Sequence, residues 1–83
     1  MKFTYKTNGV CSRSIEIEIE NNILINVKYE GGCNGNLQGI SALVKGLEVD
    51  EVIEKLENIR CGFKGTSCPA QLAAALKQYK ESL

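Results

Sequence analysis

The fold follows from a strictly alternating stretch at residues 14–20, which reads SIEIEIE. Isoleucine and glutamate take turns along it, and a period of two is typical of a β-strand with one buried face and one solvent-facing face. The pattern has this meaning because successive side chains of a strand point to opposite sides of the sheet. We predict that the isoleucines face a core and that the glutamates face water: Ile15, Ile17 and Ile19 on one side, Glu16, Glu18 and Glu20 on the other.

An antiparallel partner strand follows directly. Asn21 and Asn22 come after the alternating stretch, and asparagine tolerates the positive φ angles of a two-residue hairpin turn. Residues 23–29 then carry apolar side chains at every second position, which predicts a return strand. The side chains predicted on its buried face are Ile23, Ile25, Val27 and Tyr29.

The flanking segments predict one more strand and three helices. Residues 1–7 alternate weakly and indicate a short edge strand. The spacing of apolar residues predicts helices from about residue 36 to a stop at Gly46, from about 49 to 59, and from Pro69, which fits the first turn of a helix. We therefore expect an α+β fold, with a three-stranded antiparallel sheet followed by three helices packed on one face, in a single domain of residues 1–83.

Composition narrows the chemistry that the chain can carry out. It has ten basic and ten acidic residues, four cysteines and no histidine. The balanced charge argues against nucleic acid as a partner, and no apolar run is long enough to cross a bilayer. With no secretory signal visible, we expect a cytoplasmic protein, where clustered cysteines more often bind metal or do chemistry than form disulfides. Without histidine, catalytic triads and mixed cysteine–histidine zinc sites are excluded.

The four cysteines form the candidate site, and three of them lie at predicted joints between elements. Cys11 precedes the alternating strand and Cys33 follows its partner, so an antiparallel hairpin would bring both to one edge of the sheet. Cys68 begins the last helix, where the helix dipole and free amide groups favour a thiolate. The spacing leaves two alternatives open, because no C-x2-C pair is present: a shared site that includes Cys61, or cysteines that are merely small buried side chains.

The motif Thr66-Ser67-Cys68-Pro69 resembles the signature of the TSCPD domain family, and the resemblance covers nearly the whole chain. One position differs, since Ala70 stands where the family motif has an aspartate. The resemblance implies metal binding through cysteines. We expect zinc ahead of an iron–sulfur cluster. The resemblance also implies a relation to a module at the C-terminal end of some cobalamin-dependent ribonucleotide reductases. The predicted metal ligands are Cys11, Cys33, Cys61 and Cys68.

The chain also shows a more distant similarity to the IscU/NifU iron–sulfur scaffold. Residues 41–46, which read SALVKG, look like the helix that follows the second ligand of that family, and Cys11, Cys33 and Cys68 fall near its three cysteine ligands. This similarity implies the same order of a sheet and then helices. It also implies that Cys61 could replace the histidine ligand that this chain lacks.

Three interpretations of function follow. The first is a metal-binding module without catalytic residues of its own, which holds zinc, or else an iron–sulfur cluster, through four thiolates. The second is a thiol-redox accessory module, related to the C-terminal domain of cobalamin-dependent ribonucleoside-diphosphate reductase, in which a cysteine pair cycles between dithiol and disulfide. The third is a plain interaction domain with buried structural cysteines. The expected partners are a metal ion, a ribonucleotide reductase or another protein, and a second copy of the chain in a homodimer.

Overall fold

The chain folds into a sheet followed by helices, as the sequence predicts. The computed structural model describes residues 1–10, 12–32, 34–60 and 65–82. Within these ranges the elements are β1 (Lys2–Lys6), β2 (Ser12–Glu20), β3 (Ile23–Gly31), α1 (Asn34–Val44), α2 (Val49–Leu56) and α3 (Cys68–Glu81). The strands form one antiparallel sheet in the order β1-β2-β3, so the predicted α+β fold is confirmed. Across the described ranges, no helix is long and apolar enough to span a membrane.

The alternating stretch is the central strand, and its isoleucines form the middle of the core. Ile15, Ile17 and Ile19 are each at most 1% exposed, whereas Glu16 and Glu18 are half-buried and Glu20 is exposed. This confirms the predicted division of β2 into a core face and a solvent-facing side. The helices cover the core face with side chains from all three of them: Val44, Val49, Val52, Leu72, Ala75 and Leu76.

The hairpin turn forms as predicted, but the strand after it does not alternate regularly. Asn21 and Asn22 have φ angles of 53° and 64°, in the left-handed region that the turn requires. The pairing register then shifts, because Glu18 pairs with Asn26 while the next residue of β2, Ile19, pairs with Leu24. Ile25 is therefore the extra residue of a β-bulge in β3.

This bulge overturns one prediction. The side chains of Ile23 and Ile25 were expected on the buried face together with Val27 and Tyr29, but Leu24 takes that place and is fully buried. Ile25 is 36% exposed and Ile23 is half-buried. The reason is that a one-residue insertion reverses which side of the sheet the residues beyond it face.

The helices begin and end close to the predicted positions, and two apolar residues near the ends of α1 and α2 are exposed. Gly46 has a φ of 89° just after α1, which fits its predicted role as a helix stop. Leu43 is 79% exposed, because Leu37, Ile40 and Val44 already fill the narrow inward face of α1 and Leu43 lies on its flank. The second helix ends at Leu56 rather than near residue 59, which leaves Ile59 beyond the helix and 41% exposed.

Candidate functional site

Cys68 lies at the first position of α3 and is half-buried. The preceding residue, Ser67, is the N-cap, and its hydroxyl accepts a hydrogen bond from the Ala70 amide at 3.1 Å. Pro69 follows in the first turn, where its missing amide hydrogen costs nothing because amides there have no partner within the helix. The Cys68 side chain therefore stands at the positive end of a helix of 14 residues.

Ser12, at the start of β2, lies directly against this sulfur. Its Oγ is 3.3 Å from Cys68 Sγ, and the serine is only 4% exposed. The position results from a second β-bulge, because Ser12 pairs with Gly31 while Ser14 pairs with the neighbouring Glu30. Arg13 is the extra residue, and the bulge turns Ser12 away from the solvent-facing side and toward the helices.

Tyr29, near the end of β3, contacts the same cysteine through its backbone. The phenol donates a hydrogen bond to the Cys68 carbonyl oxygen at 2.9 Å. Burial raises the pKa of Tyr29 well above its usual value, and the electrostatic effect of Cys68 raises it further. The phenol therefore stays protonated at neutral pH and remains a donor that ties β3 to the start of α3.

Further hydrogen bonds fix the β1–β2 connection. Thr7, at the end of that connection nearer β1, donates through its Oγ1 to the Ser12 carbonyl oxygen at 2.5 Å and through its amide to the Arg13 carbonyl oxygen at 3.1 Å. Thr7 is itself buried, so these bonds do not compete with solvent. Thr7 thus fixes the backbone of both Ser12 and Arg13.

Gln71, one turn into α3, joins two of the connecting segments. Its Oε1 accepts from the Asn8 amide at 3.1 Å, and its Nε2 donates to Thr66 Oγ1 at 3.1 Å. Ser67 makes a comparable link, since its hydroxyl also donates to the Ile59 carbonyl oxygen at 2.6 Å. Neutral side chains thus tie the β1–β2 connection, the segment after α2 and the start of α3 to one another.

A pair of glycines lets the end of β3 approach the start of β2 closely. Gly31 and Gly32 have φ angles of 80° and 82°, which residues with a side chain rarely adopt. A Cβ atom at Gly32 would lie 2.8 Å from Leu37 Cδ1 and 3.1 Å from the Ser12 amide nitrogen. Glycine at this position therefore allows the close approach of the two backbone segments.

Three of the four predicted ligands, Cys11, Cys33 and Cys61, lie outside the described residues. One described neighbour in the sequence of each is Ser12, Gly32 and Arg60, respectively. Ser12 contacts Cys68 and packs closely against Gly32, and Arg60 lines the same cleft of about 530 Å³ as Cys68 and the first turn of α1. Among the residues that the structure describes, no group of three or more cysteines and carboxylates is placed to hold a metal ion.

Sequence reasoning found Cys68 and missed the side chains around it. Period-two alternation places Ser12 with the glutamates on the solvent-facing side, and no sequence signal indicates the bulge that turns it inward. Tyr29 was predicted to face the core, but not to bind the start of α3. Nothing in the spacing of Gln71 distinguishes it from any other polar residue of a helix.

The TSCPD-like motif forms the start of α3. Thr66 is hydrogen-bonded to Gln71, and Ser67 caps the helix. Cys68 lies against Ser12. A family model described as the TSCPD domain matches residues 3–80. The chain belongs to the TSCPD domain family. The resemblance that the motif suggests is thus confirmed over nearly the whole chain, and this TSCPD domain is a small cysteine-containing module.

The family match is not accompanied by a match to an individual protein. No curated protein and no solved structure matches the chain. The more distant similarity to the IscU/NifU scaffold is not borne out, and the family assignment rests on the TSCPD match alone.

Proposed function

We propose that this TSCPD domain is a metal-binding module that holds one zinc ion through Cys11, Cys33, Cys61 and Cys68. The observation that carries the proposal is the meeting of chain segments around Cys68 Sγ. Ser12 lies 3.3 Å from that sulfur, Gly32 packs against Ser12, and Arg60 lines the cleft beside it. Each of these three residues is adjacent in sequence to one of the other cysteines.

The chemistry of the available donors suits zinc. Structural zinc sites are tetrahedral and commonly use four thiolates, and a chain without histidine has to use such a set or carboxylates. The helix N-terminus at Cys68 favours the charged form of that ligand. The bare backbone at Gly32 leaves room for neighbouring segments to come together, which a side chain would prevent.

A small domain also gains from such a site. A chain of 83 residues buries a limited core, and a metal that joins several loops adds the binding free energy to the stability of the folded state. The proposed ion would join the segments that neutral hydrogen bonds already hold near one another.

The proposal is tested by metal analysis and an absorption spectrum of protein purified without oxygen. We expect about one zinc per chain and no visible absorption, since zinc has a filled d shell. The quadruple variant with serine at the four cysteine positions is the control and should bind no zinc. Protein that contains no metal, and that takes up none when zinc is added to the reduced form, would contradict the proposal.

Two other results would point to the other chemistries that the cysteines allow. Strong visible absorption together with iron would indicate an iron–sulfur cluster on the same thiolates. A metal-free protein whose thiols form a reversible intramolecular disulfide would instead support a thiol-redox module associated with a ribonucleotide reductase. Mass measurement before and after mild reduction distinguishes that outcome, because a disulfide removes two hydrogens.

A further inference from the structure

We infer that Ser12 is a positioning residue of the proposed site, which donates a hydrogen bond to Cys68 Sγ and stabilises the charged form of that sulfur. The inference rests on the proposed metal site and adds a residue that carries no metal-binding group of its own. The contact that supports it is the distance of 3.3 Å between Ser12 Oγ and Cys68 Sγ. A sulfur acceptor is large, so this separation is within hydrogen-bonding range.

The direction of the hydrogen bond follows from the charge of a bound cysteine. A cysteine that binds a metal is a thiolate and has no proton to donate, so the hydroxyl of Ser12 has to be the donor. Among the described residues, the structure shows no other hydrogen-bond partner for this hydroxyl. Ser12 is 4% exposed, and water therefore competes little for its proton.

Contacts within the protein hold this donor in place. The bulge at Arg13 turns Ser12 toward the helices, and Thr7 fixes the carbonyl groups of both residues. On the acceptor side, Tyr29 holds the Cys68 backbone and Ser67 caps the helix that Cys68 begins. A hydrogen bond between two preplaced groups loses little conformational entropy when it forms, which makes it more favourable.

Such an outer partner has two measurable effects on a metal site. It stabilises the negative charge on the ligand, and losing an outer partner typically weakens metal binding by about 10–100-fold. It also draws electron density from the sulfur, which raises the energy needed to move an electron from sulfur to metal. Removing the hydroxyl should therefore weaken binding and shift the sulfur-to-metal charge-transfer band to longer wavelength.

Cobalt(II) is the probe for both effects, because it takes the tetrahedral geometry of zinc and its thiolate complexes absorb light. Reduced wild-type protein, Ser12→Ala and Ser14→Ala are titrated with cobalt(II) without oxygen, and zinc is then added in competition. Ser14 is the matched control, because it lies on the same strand and its side chain is on the opposite side of the sheet from the buried Ile15. We expect about tenfold weaker cobalt(II) and zinc binding and a longer-wavelength band in Ser12→Ala, and wild-type behaviour in Ser14→Ala.

A third variant separates the hydroxyl from the packing of the side chain. Ser12→Thr keeps the donor and should bind cobalt(II) within about threefold of wild type with an unshifted band, a difference well below the usual cost of losing an outer partner. If Ser12→Thr loses as much affinity as Ser12→Ala, or if Ser12→Ala matches wild type in affinity and spectrum, the inference is overturned while the metal site stands. A wild-type protein that binds neither metal overturns both. Should Ser12→Ala not fold, Ser12→Val, which has the shape of threonine without its hydroxyl, replaces it in the same comparison.

Discussion

The two ends of β2 are stabilised by different interactions. Beyond Ile15 the strand is held by apolar packing, with Ile17 and Ile19 almost completely buried beneath the helices. At its first residue the strand is held by hydrogen bonds, one from Thr7 Oγ1 to the Ser12 carbonyl oxygen and one between Ser12 Oγ and Cys68 Sγ. Apolar packing has no preferred direction and tolerates changes of shape, whereas hydrogen bonds fix atoms at particular distances and angles.

The apolar end of β2 mainly stabilises the fold, whereas the polar end mainly sets the geometry of the site. The apolar end supplies most of the free energy of folding, because burial of apolar area is the dominant favourable term. The polar end supplies little net free energy, since each neutral hydrogen bond replaces bonds to water. What the polar end provides is the position of Cys68 relative to the neighbouring segments. Substitutions at the two ends should therefore change different properties of the protein.

The largest loss of stability is expected from a substitution at the apolar end. Ile17→Ala should lower the free energy of unfolding by about 2–5 kcal/mol, because it leaves a cavity at a site that is 1% exposed. Chemical denaturation followed by circular dichroism measures this. The matched control is Ile25→Ala in β3, at 36% exposure, which should cost less than about 1 kcal/mol. Equal losses in the two variants would contradict the bulged register of β3.

The next largest effect is expected at Cys68, and it should depend on metal. If Cys68→Ser weakens zinc binding a hundredfold, the free energy of unfolding in saturating zinc falls by about 2.7 kcal/mol relative to wild type. The same substitution should change stability little when both proteins are measured with a strong chelator present. Thermal melting in the two conditions tests this, and a loss of the same size with and without zinc would mean that Cys68 only packs.

A smaller effect is expected from the cap of α3. Ser67→Ala removes both the hydrogen bond to the Ala70 amide and the one to the Ile59 carbonyl oxygen, and should cost about 1–2 kcal/mol. Ser82→Ala at the other end of the helix is the control, since Ser82 is exposed and should cost no more than about 0.5 kcal/mol. Zinc affinity should also fall in Ser67→Ala, because the cap orients Cys68. An unchanged zinc affinity would show that the cap does not orient Cys68 for metal binding.

The smallest effect is expected from an exposed ion pair that joins α2 to α3. Hydrogen bonds from Lys80 and then Asn22 lower the pKa of Asp50 in the folded protein. The stabilisation is present above the unfolded-state pKa of about 3.9 and is lost as the pH falls through the lower folded value. Asp50→Asn should therefore reduce the melting temperature slightly at pH 6 and less at pH 2. An equal loss at both pH values would show that the charge is not the cause.

The sequence predicted the apolar end of the molecule better than the polar end. The alternation in residues 14–20 predicted the buried isoleucines, because burial on one face imposes a period of two on a strand. The two β-bulges were not predictable, since no local residue pattern required an extra residue at Ile25 or Arg13. The bulge at Ile25 makes Leu24 face the core in place of Ile23 and Ile25. The bulge at Arg13 turns Ser12 toward Cys68.

The site residues were predictable only where a motif or a joint marked them. Cys68 stood out because a cysteine before Pro69 at a helix start has both a chemical and a positional signal. Tyr29 and Gln71 act through long-range contacts, and such contacts depend on how the helices sit on the sheet rather than on local spacing. The four-thiolate ligand set remains a prediction, as three of its members lie outside the described residues.

We propose that four thiolates share one zinc ion at the polar end of the sheet. X-ray absorption spectroscopy at the zinc edge is the decisive test, because it counts the ligands and identifies their atoms. We expect a shell of four sulfur atoms at about 2.3 Å in the wild-type protein, and three sulfur atoms with one lighter atom in Cys68→Ser. A wild-type shell with fewer than four sulfur atoms, or a shell that Cys68→Ser leaves unchanged, would contradict it.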